Sequence, residues 1–296
     1  MKIETKEISL PLLDEKEVRL FIKRIDKIHP FVSGNKWFKL KYNLFEAKKQ
    51  GLNTLLTFGG AYSNHIAATA FSAQEKGLKS IGIIRGEEHF PLNPTLHFAK
   101  ENGMELYYVS RSDYREKATL DFLEKLKAQF GDFYMIPEGG TNELAIQGTS
   151  GILEANDTQD YICCAVGTGG TIAGIIKASN DKQTVIGFPA IRGFEQLEKD
   201  IKSWNNKSNY SFINTYAGNG YAKVSEELVL FINEFNTLHN IPLDAIYTGK
   251  MMMGILDLLA KDYFPKGSSI LAIHTGGLQG NKGMSERLGV SLPIQT

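Results

Sequence analysis

Two lysines three positions apart open a helix-like stretch: Lys36 and Lys39, in Ser33-Gly-Asn-Lys-Trp-Phe-Lys-Leu40. A lysine is ordinarily a solvated surface charge. Near a helix N-terminus it meets the positive end of the helix dipole. With partial burial, that field lowers the ammonium pKa and yields a neutral amine able to condense with an aldehyde. A second segment, Ala165-Val-Gly-Thr-Gly-Gly-Thr-Ile-Ala-Gly174, follows an apolar run and opens another helix. Its glycines let the backbone approach an anion closely, and the helix behind them presents unbonded N–H groups. Thr168 and Thr171 add hydroxyl donors, so the loop reads as a phosphate cradle.

A dinucleotide fingerprint is excluded, because Gly167 and Gly169 fit G-x-G-x-x-G but the third glycine position holds Ile172. A nucleotide P-loop is excluded by the lack of a GK[ST] ending. Two further glycine-paired junctions occur at Phe58-Gly-Gly-Ala-Tyr-Ser-Asn-His65 and His274-Thr-Gly-Gly277. Ser63 or Asn64 can equally serve as a simple cap for the helix that follows. Strand ends of this kind gather around ligands in α/β folds. Together the three suggest one cleft ringed by loops. A nucleophilic lysine with a phosphate cradle on another loop is the pairing that pyridoxal phosphate requires, although spacing alone does not establish it.

Positioning these loops requires a scaffold, and the chain supplies one. Continuous apolar runs at Asn53–Phe58, Ser80–Arg85, Leu106–Ser110 and Phe133–Pro137 read as strands buried on both faces. Helical patterns near 64–77, 93–102 and 113–130 separate them, which implies parallel βαβ units. A second set of strands follows at Tyr161–Val166, Thr184–Phe188, Ser211–Thr215 and Ser269–His274, with helices near 171–179, 222–237 and 248–263. An early strand, Val18–Ile25, can join this second sheet, leaving the first set as an insertion. The expected fold is therefore α/β with two open, twisted, mainly parallel sheets flanked by helices. Residues 1–38 and 151–296 would form a large domain, and 39–150 a small inserted one.

Among 296 residues, 33 basic side chains balance 33 acidic ones, so no overall field recruits nucleic acid or an anionic membrane. With 42% hydrophobic residues, no apolar run approaching a membrane span and no secretory leader, the expectation is a soluble, cytoplasmic protein. Cys163 and Cys164 are adjacent within an apolar run and read as buried small hydrophobes. The six histidines show no metal-binding spacing, so no metal site is expected. Met251 to Met253 read as core filling, and Arg111 to Lys127 as a solvated helix face.

The whole chain resembles the family of pyridoxal-phosphate enzymes that contains 1-aminocyclopropane-1-carboxylate deaminase and D-cysteine desulfhydrase, of the tryptophan-synthase β-like fold (fold type II). The matching motifs run in order: GNKWFKL at 34–40, GGAYSNH at 59–65, PEGGTN at 137–142, GTGGT at 167–171, AIYTGKMMMG at 245–254 and HTGG at 274–277. The segment before Gly34 is shorter than in typical members. The resemblance implies that Lys36 forms the internal aldimine with pyridoxal 5′-phosphate and that Asn64 contacts the cofactor's 3′-oxygen. It implies that Gly167, Thr168, Gly169, Gly170 and Thr171 hold the phosphate. Ser63 matches the family's active-site serine and Tyr247 its active-site tyrosine, so both would be catalytic. Ser63, Asn64, His65 and Tyr247 would meet a small amino-acid substrate. Lys39 would support the fold or the cofactor's surroundings. A homodimer is also implied.

The group facing the ring nitrogen distinguishes the reactions. In the cyclopropane deaminases it resembles a glutamate just after the tyrosine, with a leucine after the histidine of the last loop. This chain has Thr248 and Thr275 there, matching the desulfhydrase pattern. A carboxylate keeps the ring nitrogen protonated and makes the strong electron sink that opening a carbon ring requires. A hydroxyl leaves it largely neutral, which suffices when a β-substituent departs with the electrons. The expectation is α,β-elimination from a small D-amino acid, D-cysteine first. The alternatives are 1-aminocyclopropane-1-carboxylate deamination to 2-oxobutyrate and ammonia, and a D-serine-type elimination. Loops around 87–94 and 216–221 would set the pocket's width.

Overall fold

A computed structural model of the chain describes residues 3–190, 195–217 and 223–294. Its strands are β1 (Thr5–Ile8), β2 (Arg19–Lys23), β3 (Thr54–Gly60), β4 (Lys79–Arg85), β5 (Met104–Val109), β6 (Tyr134–Ile136), β7 (Tyr161–Val166), β8 (Thr184–Pro189), β9 (Tyr210–Phe212) and β10 (Ser269–Ile273). Its helices are α1 (Pro11–Lys16), α2 (Asn35–Lys49), α3 (Asn64–Glu75), α4 (Pro94–Glu101), α5 (Leu120–Phe130), α6 (Glu143–Ser150), α7 (Gly170–Ala178), α8 (Glu195–Ser203), α9 (Glu226–His239), α10 (Thr248–Ala260) and α11 (Gln279–Leu288). A six-stranded sheet runs β1-β2-β10-β7-β8-β9, and a four-stranded sheet runs β5-β4-β3-β6. The pairings are parallel except for β1 with β2. The early strand therefore lies in the larger sheet, beside β10, and the chain between β2 and β7 builds the smaller one.

Alternation along β7 shows how the larger sheet is covered on both faces. Tyr161, Cys163 and Ala165 pack with Ile186, Ala272 and the α10 methionines Met251 and Met252. Ile162, Cys164 and Val166 point the other way, onto Ile172, Ile175 and Ile176 of α7. Both thiols are fully buried, and desolvation pushes them up, Cys164 to about 12. They are core hydrophobes, as read from the sequence.

Several elements differ from the sequence reading. The single helix expected over 113–130 is a short 3₁₀ turn, Asp113–Glu116, followed by α5, because Thr119 accepts from the Phe122 N–H and starts a new helix. Of the strand expected at Ser211–Thr215, Ser211 and Phe212 pair with β8, and Asn214–Tyr216 turns as 3₁₀ helix. Helices α6 and α11 had no counterpart in the sequence reading; their runs Glu143–Ser150 and Gln279–Leu288 are rich in glycine and polar residues. Residues 218–221 of the second width-setting loop lie outside the described residues.

Candidate active site

Lys36 is positioned by contact between two strand ends. The Gly34 N–H donates to Ile25 O (3.2 Å) just beyond β2, and the Asn35 N–H donates to Thr275 O (3.1 Å) just beyond β10. Gly34 has φ 65°, and a Cβ there would stand 1.9 Å from the Thr275 oxygen, so only glycine lets the two segments touch. Beneath them, Arg24 donates twice to the buried Asp26 carboxylate (2.8 and 2.6 Å). His274 lies 3.5 Å from the same carboxylate and donates through Nε2 to Pro242 O (2.6 Å). Lys36 is half-buried on this platform and lines a cavity of about 380 Å³ with Asn64, Gly277 and Gln279. Desolvation lowers its amine to about 8, within reach of the neutral form.

One turn along α2, Lys39 is 2% exposed. Its Nζ donates to Gly139 O (2.9 Å), Thr141 Oγ1 (2.9 Å) and Thr168 Oγ1 (3.3 Å). All three acceptors are neutral. Desolvation, with the nearby Lys36 charge, holds its pKa well below the ordinary lysine value. This ammonium lies under the glycine loop: a Cβ on Gly170, the first residue of α7, would come within 3.3 Å of it. Asn35 Nδ2 donates to Thr171 Oγ1 (2.8 Å), tying the lysine turn to the same loop. A Cβ on Gly167 would stand 3.2 Å from the Tyr247 ring.

Ser63 caps α3, its Oγ accepting from the Ile66 N–H (3.3 Å), so the capping alternative holds for its lone pair while its hydroxyl proton can still be donated outward. Asn64 and His65 begin the helix, ahead of its first backbone bond, Ala67 N–H to Ser63 O. The His65 side chain, expected at the substrate, turns inward. Thr57 Oγ1 gives its one proton to Ile136 O (2.8 Å) and so accepts from His65 Nε2 (2.8 Å). Burial and the neighbouring lysine charges push the imidazole well below its ordinary value. At the cavity, His65 can act only through its backbone.

Thr248 is also committed elsewhere. Its hydroxyl donates to Asp244 Oδ1 (2.7 Å) and accepts from the Asp244 N–H (2.8 Å), and its side chain is fully buried. It therefore has no proton to offer a ring nitrogen. Asp244 in turn accepts from the N–H groups of Ile246, Tyr247 and Thr248 as well. The sequence reading did not single out Asp244, although an aspartate just ahead of a helix-opening Thr-Gly is a capping signal. Gln279, in the glycine-rich run after HTGG, had no such signal.

Known proteins resemble this chain over nearly its whole length. Residues 3–276 match the pyridoxal-phosphate dependent enzyme family. The chain belongs to that family. It is 34% identical over 295 residues to a putative 1-aminocyclopropane-1-carboxylate deaminase of Thermotoga maritima, covering 91% of this chain and 92% of that one. It is 33% identical over 296 residues to the mitochondrial bifunctional D-cysteine desulfhydrase/1-aminocyclopropane-1-carboxylate deaminase of Arabidopsis thaliana, covering 88% and 73%. Among solved structures, an ACC deaminase homologue superposes with a TM-score of 0.84 at 27% identity, covering 97% of this chain and 93% of that one. The fold is that of the type II pyridoxal-phosphate enzymes, and the protein is one of them.

The residues present fit that cofactor. A buried lysine amine held by neutral oxygens, next to the glycine-lined start of α7, meets no anion among the described residues, and the phosphate would supply one. The Thr168–Thr171 loop and Lys39 would hold it there. Lys36 would be the amine for its aldehyde, and Asn64 lines the same cavity. Thr275 remains the candidate for the ring nitrogen. Its backbone oxygen is used by Asn35, while its hydroxyl has no partner among the described residues.

Proposed function

We propose that this enzyme eliminates the β-substituent of a small D-amino acid, D-cysteine first, giving pyruvate, ammonia and hydrogen sulfide. The observation that carries this reading is the lack of a free carboxylate near Thr248 and Thr275 among the described residues. The acid close by, Asp244, already accepts four hydrogen bonds from three backbone N–H groups and the Thr248 hydroxyl. Pyridoxal phosphate, when bound, supplies an aldehyde for the substrate amine and a ring that draws electrons from the substrate Cα. Lys36, once freed from holding the cofactor, is the base for the Cα proton, since an amine titrating near 8 is partly neutral at physiological pH. Sulfide leaves Cβ with the bonding pair, and water hydrolyses the resulting aminoacrylate to pyruvate and ammonia. Ser63 donates its hydroxyl proton to the substrate carboxylate beside the first-turn N–H groups of α3, where the helix dipole favours an anion. Tyr247, packed against Gly167, walls the site at its phosphate end.

The name of the Thermotoga relative favours a second reading, deamination of 1-aminocyclopropane-1-carboxylate to 2-oxobutyrate and ammonia, while the Arabidopsis relative's name carries both activities. Purified holoenzyme given D-cysteine and the cyclopropane amino acid in separate reactions decides between them. Sulfide and pyruvate from D-cysteine are expected. Formation of 2-oxobutyrate without sulfide overturns the elimination reading in favour of the second.

A further inference from the structure

Gln279 opens α11 and reaches two adjoining helices, α3 and α4, that pack against the smaller sheet. Its Oε1 accepts from Thr95 Oγ1 (3.2 Å) in the first turn of α4, and its Nε2 donates to Oδ1 of Asn64, the first residue of α3. An asparagine amide has one accepting and one donating end, and the cavity receives whichever end is left. With Oδ1 taken by Gln279, Nδ2 points toward Gly277, 3.0 Å from where a Cβ on that glycine would stand. No described residue accepts from it. Gly277, Asn64 and Lys36 line one cavity.

We propose that Gln279 is a positioning residue: it sets the orientation of the Asn64 amide so that the NH₂ end is presented to an anionic oxygen of the bound cofactor. This rests on reading the Lys36 cavity as the cofactor site. A reversed amide would set a carbonyl oxygen against that anion, replacing attraction with repulsion in a poorly solvated space. The Thr95 hydroxyl steadies Gln279 from its other end, so α4 takes part although it does not carry the donor.

The test titrates apoprotein with pyridoxal 5′-phosphate and reads the dissociation constant from visible absorbance. In Gln279→Glu the new carboxylate can only accept, so it takes the Asn64 NH₂ group and turns Oδ1 to the cavity. Affinity should fall by about ten- to a hundredfold, on the usual scale of a hydrogen bond to a charged group. Gln279→Met keeps the side chain's length without its polar ends, and the expected loss is smaller, about threefold to tenfold. Both losses should shrink below about twofold in an Asn64→Ala background, because a residue acting through Asn64 has nothing left to position. That coupling separates amide orientation from added charge or altered packing, and Gln279→Met carries the test should Gln279→Glu not fold. Wild-type affinity in both variants, or losses that persist in full without the Asn64 amide, overturns the proposal. A wild-type protein that binds no cofactor overturns the site reading instead.

Discussion

Lys23 and Lys39 are the two most deeply buried lysines among the described residues, and their surroundings are opposites. Lys23, at the end of β2, is 0% exposed, and its Nζ lies 2.5 Å from Asp157 Oδ2 and 2.7 Å from Glu154 Oε2. Lys39, on α2, meets three oxygens and no carboxylate. A charge taken out of water is tolerated when resident counter-charges and hydrogen bonds replace the lost solvent. Lys23 has that compensation in the folded chain alone. Lys39 has the hydrogen bonds but, among the described residues, not the counter-charge, and the glycine loop lies beside it. The first arrangement is complete within the chain, while the second is the one the proposed phosphate would complete.

Replacing Lys36 tests a third lysine and carries the largest expected effect. With Lys36→Ala, pyruvate release should fall by at least about a thousandfold, because covalent anchoring and proton abstraction are lost together. Borohydride-reduced wild-type enzyme should carry its cofactor adduct at Lys36 by mass spectrometry; an adduct elsewhere removes the basis of the mechanism.

The contrast between Lys23 and Lys39 is broken or kept by a matched pair. Lys23→Met leaves the Asp157 carboxylate buried without its main partner and should destabilise the fold by about 3–5 kcal/mol in denaturant titration. Its cofactor affinity should stay within a few-fold of wild type. Lys39→Met should do the reverse, weakening cofactor binding by about a hundredfold (some 3 kcal/mol for a charged hydrogen bond to phosphate). Its apoprotein should be as stable as wild type or more so. Equal losses of stability in the two variants would show that Lys39 is compensated within the chain.

A smaller effect follows pH. The Lys36 amine titrates near 8 in the folded apoprotein, against an ordinary 10.5 when unfolded. Below pH 8 both states bind the proton and the fold carries the cost of a buried charge. Between the two values only the unfolded chain binds it, so the fold gains stability as pH rises through that window. The thermal midpoint of wild-type apoprotein, measured against Lys36→Met, should therefore rise from pH 8 to 10.5. A flat difference would place the amine in water. The smallest change expected is in Ser63→Ala, which removes the α3 cap and should cost about 1 kcal/mol. It should also raise the substrate KM, whereas a pure capping role would leave KM unchanged.

Much of this site was legible in the sequence. Glycine-rich strand ends at 59–60, 167–170 and 276–277 mark where backbone must pass close to something. The apolar runs around them mark strands covered on both faces. The roles of individual side chains were less legible. Thr248 and His65 lie in the right motifs, yet the Thr248 hydroxyl and the His65 Nε2 are turned inward, onto Asp244 and Thr57. Whether a hydroxyl or an imidazole faces a cavity depends on which partners reach it first, and those partners are remote in the chain or hidden by a turn. The Asn64–Gln279 contact, between residues 215 positions apart, is of the same kind.

Local pattern alone determined the alternation of strand and helix, the lysine at a helix start and the glycine loop that invites phosphate, because each depends on neighbours within a turn or two. Tertiary structure alone decided that Lys39 meets no carboxylate among the described residues and that Asn64 offers its donor end. Those facts follow from charges and lone pairs meeting across the fold, where burial leaves no water to make up for a missing partner.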